Sequence, residues 1–288
     1  MRVAVTGGSG KLGRAVVADL VANDHDVLNL DIQAPRDPKI PYTRVDFTDF
    51  GQTLEALLRI DGRHEGVDGI VHLAAIPGPG MVPNHRIFAN NVISTYNLFS
   101  AARDAGIRNI VWASSETVIG LPFDTPPLYL PADEDVPVRP NTAYSLGKDL
   151  EEEMARQFCR WDPDLKMIGL RFSNVMEPSD YVDFPGFDAD PMLRKWNLWT
   201  YIDARDGAQA VRKALEMDTT GMDVFQIANA DTVMTRSSAE LAAQVFPGVP
   251  VRKSLGRHEA LVSIDKARRI LGYEPVHSWR DEVTASTD

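Results

Sequence analysis

A glycine-rich loop directly after the first apolar segment constrains the fold of this chain most. Val3–Thr6 has the composition of a buried strand, and residues 7–13, Gly-Gly-Ser-Gly-Lys-Leu-Gly, lead from it into a segment of helical spacing. The loop contains the spacing G-x-G-x-x-G from Gly8 and the wider spacing G-x-x-G-x-x-G from Gly7. Glycines at these positions permit a tight turn and let backbone N–H groups approach a pyrophosphate at the N-terminus of the following helix. The loop therefore predicts a strand–helix unit that binds a dinucleotide.

Segments of strand and helix character alternate along the first part of the chain. Such alternation implies right-handed crossovers and a parallel sheet with helices on both faces. We therefore expect an α/β fold, a Rossmann-type doubly wound parallel sheet, in residues 1–172. Residues 173–288 are less regular, and we interpret them as a small mixed α/β substrate-binding subdomain that is not an independent domain. The predicted strands are Arg2–Thr6, Asp26–Leu30, Gly69–Leu73, Asn109–Ala113, Lys166–Arg171 and Val224–Ile227. The predicted helices are Leu12–Asn23, Gln52–Ile60, Val92–Ala105, Ala143–Trp161, Ala204–Met217, Ser237–Val245 and Ser263–Leu271.

The composition limits the kinds of molecule that the protein is expected to bind. The 288 residues are 44% hydrophobic and 25% charged, as in an ordinary globular protein. No apolar run approaches the ~18 residues of a transmembrane helix, and the first residues do not resemble a signal peptide. The net charge of −11 argues against nucleic-acid binding, which needs a basic face. The single cysteine, Cys159, fits a reducing cytoplasm, and the six histidines are not paired at metal-ligand spacing. We therefore expect a cytoplasmic protein that acts on a small molecule, without nucleic acid, membrane or metal.

The residue that ends the second predicted strand indicates which dinucleotide is bound. Asp31 lies 24 residues beyond Gly7. A carboxylate there can accept hydrogen bonds from the adenosine ribose hydroxyls of NAD and would repel the extra phosphate of NADP. Lys11 and Arg36 leave NADP as the second candidate. Because Leu12 follows Lys11 where a nucleoside-triphosphate loop needs serine or threonine, a loop of that kind is excluded.

A tyrosine and a lysine four residues apart supply a candidate acid–base pair. Tyr144 and Lys148 lie at the start of a predicted helix and project from one face of it. A phenol has a pKa of about 10, and a nearby ammonium group stabilises the phenolate. Upstream, the strand that ends at Ala113 is followed by Ser114 and Ser115. A hydroxyl at the carboxyl end of a strand can donate a hydrogen bond to a substrate oxygen.

With further motifs, these residues resemble the extended short-chain dehydrogenase/reductase superfamily, and within it the NAD-dependent epimerase/dehydratase group, over essentially the whole chain. The resemblance implies that NAD is the cofactor and that Ser115, Tyr144 and Lys148 are catalytic. The matching segments are Thr6–Gly13, Asp31, Asp46-Phe47, His72–Ala75, Asn90–Val92, Ser114–Gly120, Tyr144–Lys148, Arg171–Val175 and Asp265–Pro275.

The same resemblance assigns contacts along the cofactor and at the substrate. Asp46 and Phe47 would border the adenine, Asn90 would lie near a ribose, and Phe172 would neighbour the nicotinamide. The implied cofactor-binding residues are Gly7, Gly10, Lys11, Leu12, Gly13, Asp31, Asp46, Phe47, Leu73, Ala74, Ala75, Asn90, Tyr144, Lys148 and Phe172. The implied substrate-binding residues are Ser115, Glu116, Asn174 and Arg194.

A short spacing favours one branch of the group. Asn174 and Asp203 are only 29 residues apart, which leaves little room for the segment that grips the diphosphate in nucleotide-sugar epimerases and dehydratases. The short form resembles the uronate dehydrogenase branch, whose substrate-binding arginine falls at Arg194. An arginine can bind a carboxylate bidentately, although Arg194 could instead be a solvated cation. Glu116 and Thr117 stand where that branch has Asn and His, and Glu116 would repel a second carboxylate if it faced the substrate.

The resemblance thus implies an NAD-dependent oxidoreductase that takes a hydride from a carbinol of a sugar or sugar acid. Two alternatives stay open: a UDP-sugar 4-epimerase or dehydratase that retains NAD, and a dinucleotide-sensing binding protein. The resemblance also implies a homodimer formed through Val92–Ala105 and Ala143–Trp161. Apolar residues that could form that interface, or could cover the sheet instead, are Tyr96, Phe99, Met154 and Phe158.

Overall fold

The computed structural model describes residues 1–60 and 62–285. The strands are β1 (Arg2–Thr6), β2 (Asp26–Asp31), β3 (Thr43–Arg44), β4 (Arg59–Ile60), β5 (His64–Glu65), β6 (Gly69–His72), β7 (Asn109–Ser115), β8 (Lys166–Phe172), β9 (Val175–Met176), β10 (Ile202–Asp203) and β11 (Gly221–Ile227). The α-helices are α1 (Lys11–Ala22), α2 (Phe50–Leu58), α3 (Asn84–Asp104), α4 (Ala143–Trp161), α5 (Phe184–Phe187), α6 (Ala204–Glu216), α7 (Ser238–Val245), α8 (Asp265–Leu271) and α9 (Trp279–Ala285). Short 3₁₀ helices cover Glu116–Ile119, Pro178–Asp183 and Pro191–Asn197.

Within the described residues, one seven-stranded parallel sheet has the order β11-β8-β7-β6-β1-β2-β3. The chain starts in the middle at β1, winds outward to β3, and then returns to β6 and winds the other way. This is the doubly wound order of a Rossmann-type sheet, so the predicted fold class is confirmed. Between β1 and β6 the winding direction reverses, and a crevice at the carboxyl ends of such strands is where ligands bind in this architecture.

Apolar side chains cover both faces of the sheet. On one face, Val5 belongs to a buried cluster with Val16 of α1 and Val211 of α6. On the other face, Trp112 of β7 packs edge-on against Phe99 of α3, with ring centroids 5.7 Å apart. Because both faces are buried, the central strands read as continuous apolar runs rather than as alternating ones.

A third apolar cluster joins C-terminal residues, among them Trp199, Tyr201 and Trp279, to residues between 118 and 136. The C-terminal part also contributes a strand to the large sheet and a helix that packs beside it. β11 pairs with β8 over seven residues, and α6 packs on α1. Residues beyond 172 therefore complete the sheet and share the third cluster with residues before 172, and the division of the chain at residue 172 stays a prediction.

Some predicted elements differ at their ends. Helix α3 begins at Asn84, whereas the sequence pattern predicts a start at Val92. Its first turns carry mainly polar side chains, so no apolar stripe marks them. Helix α8 ends as predicted, at Gly272 in the left-handed region with φ of 66°. No helix in residues 1–60 or 62–285 is long and apolar enough to cross a membrane.

Candidate active site

The glycine loop is packed too closely to accommodate larger side chains. Gly7 has φ of +70°, and a Cβ atom built there would lie 2.7 Å from the backbone N of Ala74. A Cβ atom on Gly13 would lie 2.1 Å from the carbonyl oxygen of Gly7. Gly10, which precedes α1, has no side chain that could cap the helix, and the first turn contains no acidic residue. The first turn of α1 therefore presents its backbone N–H groups where an anion such as a pyrophosphate can bind.

A cavity of about 880 Å³ extends from this loop to the ends of β7 and β8. Its volume and glycine-lined end fit a dinucleotide with a small substrate beside it. Arg194 is the predicted site residue that does not line it. The predicted residues on its wall are Gly7, Gly10, Lys11, Leu12, Gly13, Asp31, Asp46, Phe47, Leu73, Ala74, Ala75, Asn90, Ser115, Glu116, Tyr144, Lys148, Phe172 and Asn174.

Asp31 is fixed at the end of β2 beside the glycine loop. One carboxylate oxygen accepts a hydrogen bond from the backbone N–H of Ser9 at 2.9 Å, and the other accepts from that of Gln33 at 2.9 Å. Of the two cations that left NADP open, Lys11 lines the cavity and Arg36 does not. Lys11 donates to Asp180 at 2.6 Å, and Arg36 is exposed.

The two serines at the end of β7 have different surroundings. Ser114 donates to Glu152 Oε1 at 2.6 Å, and Glu152 also accepts two hydrogen bonds from Arg171, at 2.9 and 2.7 Å. Ser115 Oγ instead accepts hydrogen bonds from Thr117, from its backbone N–H at 3.2 Å and its hydroxyl at 3.0 Å. Its own hydroxyl hydrogen is therefore available to Tyr144 or to a substrate oxygen. Ser114 belongs to a buried structural network, so Ser115 is the better candidate for the active hydroxyl.

Tyr144 and Lys148 lie side by side in the wall, as their spacing predicts. The Lys148 Nζ atom lies 6.0 Å from the centre of the Tyr144 ring. Burial raises the pKa of Tyr144, and the Lys148 charge and a hydrogen bond with Ser115 partly offset that rise. The lysine thus acts in the expected direction, but burial outweighs it and the pKa of the phenol stays above its ordinary value. Lys148 also donates to the carbonyl oxygen of Ala113 at 2.7 Å, which fixes its side chain.

Glu116 is a buried carboxylate next to Ser115. Its oxygens accept hydrogen bonds from Ser173 Oγ at 2.6 Å, Thr200 Oγ1 at 2.9 Å and Asn197 Nδ2 at 3.3 Å. Burial raises the pKa of Glu116 to about 7, although these hydrogen bonds oppose the shift. This carboxyl group therefore changes its charge near neutral pH.

Arg194 lies behind the wall, in the 3₁₀ helix Pro191–Asn197. Its guanidinium carbon is 5.2 Å from the centre of the Phe187 ring and 5.0 Å from that of Trp196. One Nη atom donates to the carbonyl oxygen of Thr200 at 3.2 Å. Its side chain is buried, so it is not the solvated cation that the sequence left open.

Sequence reasoning did not assign Ser173 or Trp196 to the site, and both line the cavity. Trp199, in contrast, is fully buried in the third apolar cluster, where it acts as a packing residue. The short segment from 191 to 200 carries no motif that distinguishes these two tryptophans. His72 is structural: its ring nitrogens lie 2.8 Å from Thr6 Oγ1 and 3.2 Å from Thr95 Oγ1.

The sheet order, the glycine loop at the first crossover and the Ser115–Tyr144–Lys148 wall define a dinucleotide-binding protein of the short-chain dehydrogenase/reductase type. Residues 3–228 match the NAD dependent epimerase/dehydratase family. The chain belongs to this family, which confirms the resemblance inferred from its motifs.

Characterised relatives in the family have more than one activity. A UDP-glucose 4-epimerase from Lactobacillus helveticus is 27% identical over 330 aligned positions, which cover 99% of this chain and 96% of the relative. A uronate dehydrogenase from Agrobacterium fabrum is 35% identical over 185 positions, covering 62% of this chain and 64% of the relative. A short-chain dehydrogenase/reductase superfamily protein from Agrobacterium tumefaciens, solved with bound NAD, superposes with a TM-score of 0.73 at 25% identity, covering 99% of this chain and 96% of that one.

Proposed function

We propose that this protein is an NAD-dependent oxidoreductase that removes a hydride from a carbinol carbon of a sugar or sugar acid. The observation that carries the proposal is the convergence of Ser115, Tyr144 and Lys148 on one wall of a cavity that begins at the glycine loop. The similarity to uronate dehydrogenase and the short segment between Asn174 and Asp203 favour a free sugar over a nucleotide sugar.

Each residue of the wall has a separate role in this proposal. Tyr144, as phenolate, would take the proton of the carbinol hydroxyl. Ser115 would donate a hydrogen bond to the same oxygen and keep it oriented toward Tyr144. Lys148 would stabilise the phenolate and bind the ribose next to the nicotinamide. Bound NAD would accept the hydride at C4 of the nicotinamide, whose positive charge would also favour the phenolate.

The choice of NAD over NADP rests on Asp31. Its carboxylate occupies the end of β2 beside the glycine loop, where the adenosine ribose of a dinucleotide would lie. Lys11, the cation on the same wall, is already paired with Asp180 at 2.6 Å. A 2′-phosphate would therefore meet the negative charge of Asp31 at this position.

The epimerase alternative uses the same wall with a different outcome. The L. helveticus relative, similar over 99% of this chain, supports it. An epimerase takes a hydride and returns it to the same sugar, so it releases no NADH. A protein that only senses the dinucleotide would need no catalytic base. The Tyr144–Lys148 pair therefore argues against this alternative.

The proposal is tested by mixing the purified protein with NAD and a panel of free sugars, sugar acids and UDP-sugars. We expect NADH, followed at 340 nm, to accumulate with at least one free sugar or sugar acid. Conversion of UDP-glucose to UDP-galactose without NADH would instead establish the epimerase. Tight NAD binding without turnover of any compound would support the sensing protein.

We also infer a homodimer through α3 and α4. Tyr96 is 50% exposed, and Ile93, Leu146 and Leu150 are exposed apolar side chains on the same two helices. Phe99 and Phe158, which the sequence left open between interface and core, are buried and cover the sheet. Light scattering should give twice the 31.9 kDa chain mass.

A further inference from the structure

The charges around the substrate end of the cavity bear on the kind of sugar that it binds. Among the described residues, the cations on the wall are Lys11 and Lys148. Lys11 lies at the glycine loop and pairs with Asp180, and Lys148 pairs with Glu151 at 2.9 Å. Beside Ser115 and Tyr144, the wall instead contains Glu116, whose almost completely buried carboxylate accepts hydrogen bonds from Ser173, Asn197 and Thr200. A carboxylate or phosphate on the substrate would find no unpaired cation at this end.

Arg194 would be the natural partner of an anionic substrate, but its position points to another role. It does not line the cavity, and the rings of Phe187 and Trp196 lie on its guanidinium. Trp196 itself is on the wall, so Arg194 packs against a residue that lines the cavity. The charge of Arg194 acts on Glu116 and lowers the pKa of that carboxyl group, against the effect of burial.

Two polar residues join Glu116 to Arg194. The Thr200 hydroxyl donates to Glu116 at 2.9 Å, and the Thr200 carbonyl oxygen accepts from Arg194 at 3.2 Å. The Asn197 amide donates both to Glu116 at 3.3 Å and to the Thr200 carbonyl oxygen at 2.8 Å. The guanidinium is therefore held by the Thr200 carbonyl oxygen inside the protein and does not line the cavity.

We propose that the substrate is an uncharged sugar, either an aldose or a polyol, and that Glu116 excludes uronates and sugar phosphates. This inference rests on the proposed oxidoreductase function. A carboxylate substrate would meet a like charge at the residue adjacent to Ser115. Like charges within a few ångströms in a partly desolvated site reduce binding by about 100-fold. Neutral hydroxyl groups, in contrast, can donate hydrogen bonds to a carboxylate.

A matched pair of sugars isolates the effect of the substrate's charge on turnover. Glucose and glucuronate differ only at C6, which is a hydroxymethyl group in one and a carboxylate in the other, and galactose and galacturonate form a second pair. We expect kcat/KM for the neutral member of at least one pair to exceed that of its uronate by about 100-fold at pH 8. Glucose 6-phosphate should be excluded in the same way.

Glu116→Gln should relax the discrimination by raising turnover of the uronate, since the amide keeps the shape and can still accept from Ser173 and Thr200 but carries no charge. Glu153→Gln, a matched change on the exposed side of α4, should keep the wild-type ratio. If Glu116→Gln does not fold, the wild-type enzyme provides the same test by pH. Of the ionisable groups that face Glu116, Arg194 stays charged between pH 6 and 8, and ionisation of Tyr144 affects both sugars alike and cancels in their ratio, so protonation of Glu116 at pH 6 should raise the uronate-to-aldose ratio.

The outcomes separate this inference from the function on which it rests. Faster NADH formation from the uronates than from the aldoses would overturn the inference and leave the oxidoreductase intact. A wild-type ratio unchanged by both Glu116→Gln and pH would also overturn it, because Glu116 would then not set the selectivity. Failure to form NADH from every neutral and charged sugar would overturn the proposed function itself.

Discussion

Lys148 and Glu151 form an ion pair inside the protein, with Nζ and Oε2 2.9 Å apart and both side chains almost completely buried. The pair is three residues apart on α4, directly beneath the candidate base Tyr144. Burial by itself lowers the pKa of Lys148, but Glu151 and Tyr144 raise it overall, so the ammonium stays charged. The same carboxylate raises the pKa of Tyr144. Glu151 therefore keeps the lysine in place and weakens its effect on the phenol.

Glu151→Gln should move the pH–rate profile toward lower pH. Removal of the carboxylate takes away one cause of the raised pKa of Tyr144. The rate depends on phenolate and rises as pH passes the pKa of Tyr144, so a lower pKa moves the rising limb of kcat/KM down the pH scale. Glu153→Gln on the exposed side of α4 serves as the matched control. An unchanged limb in Glu151→Gln, or one shifted upward, would contradict this role.

Tyr144→Phe should reduce kcat by about 10²–10⁴-fold, the usual contribution of a positioned acid–base group. NAD affinity, measured by quenching of tryptophan fluorescence, should remain near the wild-type value, because the ring still fills the wall. Lys148→Met should reduce both turnover and NAD affinity. Turnover of Tyr144→Phe at half the wild-type rate would remove Tyr144 from the proposed mechanism.

Glu116→Gln should gain stability relative to wild type as the pH rises. The carboxyl pKa rises from 4.5 to about 7 on folding. A carboxyl group with a raised folded-state pKa contributes full stability below about pH 4.5 and loses it as pH rises through about 7. The difference in unfolding free energy between variant and wild type should therefore shift by about 3 kcal/mol in favour of the variant from pH 4.5 to pH 8. Urea denaturation at both pH values measures the shift, and a difference that does not change with pH would contradict the burial of Glu116.

Asp31→Ser should move the cofactor preference toward NADP. The serine removes the negative charge next to the ribose 2′ position and retains a hydroxyl group. The ratio of kcat/KM for NADP to that for NAD should increase by about tenfold, equivalent to about 1.4 kcal/mol. Asp37→Ser, in the exposed turn beyond β2, is the control and should leave the ratio unchanged. An unchanged ratio in Asp31→Ser would mean that another group selects the cofactor.

Local motifs made much of this fold predictable. The loop from Gly7 to Gly13 needs glycine for a positive φ at Gly7 and for close backbone packing at Gly7 and Gly13. Both needs appear in the sequence as a pattern of glycines within seven residues. The central strands are buried on both faces, so their apolar runs stand out in the sequence. Tyr144 and Lys148 share one helix face, and their proximity follows from the helical repeat alone.

The substrate end could not be predicted in the same way. The contacts of Glu116 come from Ser173, Asn197 and Thr200, which lie 57, 81 and 84 residues further along the chain. No local pattern shows that three such residues converge on one carboxylate. Arg194 could be assigned only by resemblance, and the resemblance does not reveal that its side chain packs against Trp196 and does not line the cavity. Likewise, the spacing of Lys148 and Glu151 is that of an ordinary surface pair, and their burial depends on how α4 packs.

The central claim, hydride transfer from a sugar carbon to NAD, is tested most directly with a sugar carrying deuterium at every carbon-bound position. The protein is incubated with this sugar and NAD, and the reduced cofactor is examined by mass spectrometry and NMR. We expect one deuterium at C4 of the nicotinamide in each molecule of reduced cofactor, with oxidised sugar in equal amount. Deuterium-free NADH, or recovery of the sugar as an epimer with no reduced cofactor, would contradict the account.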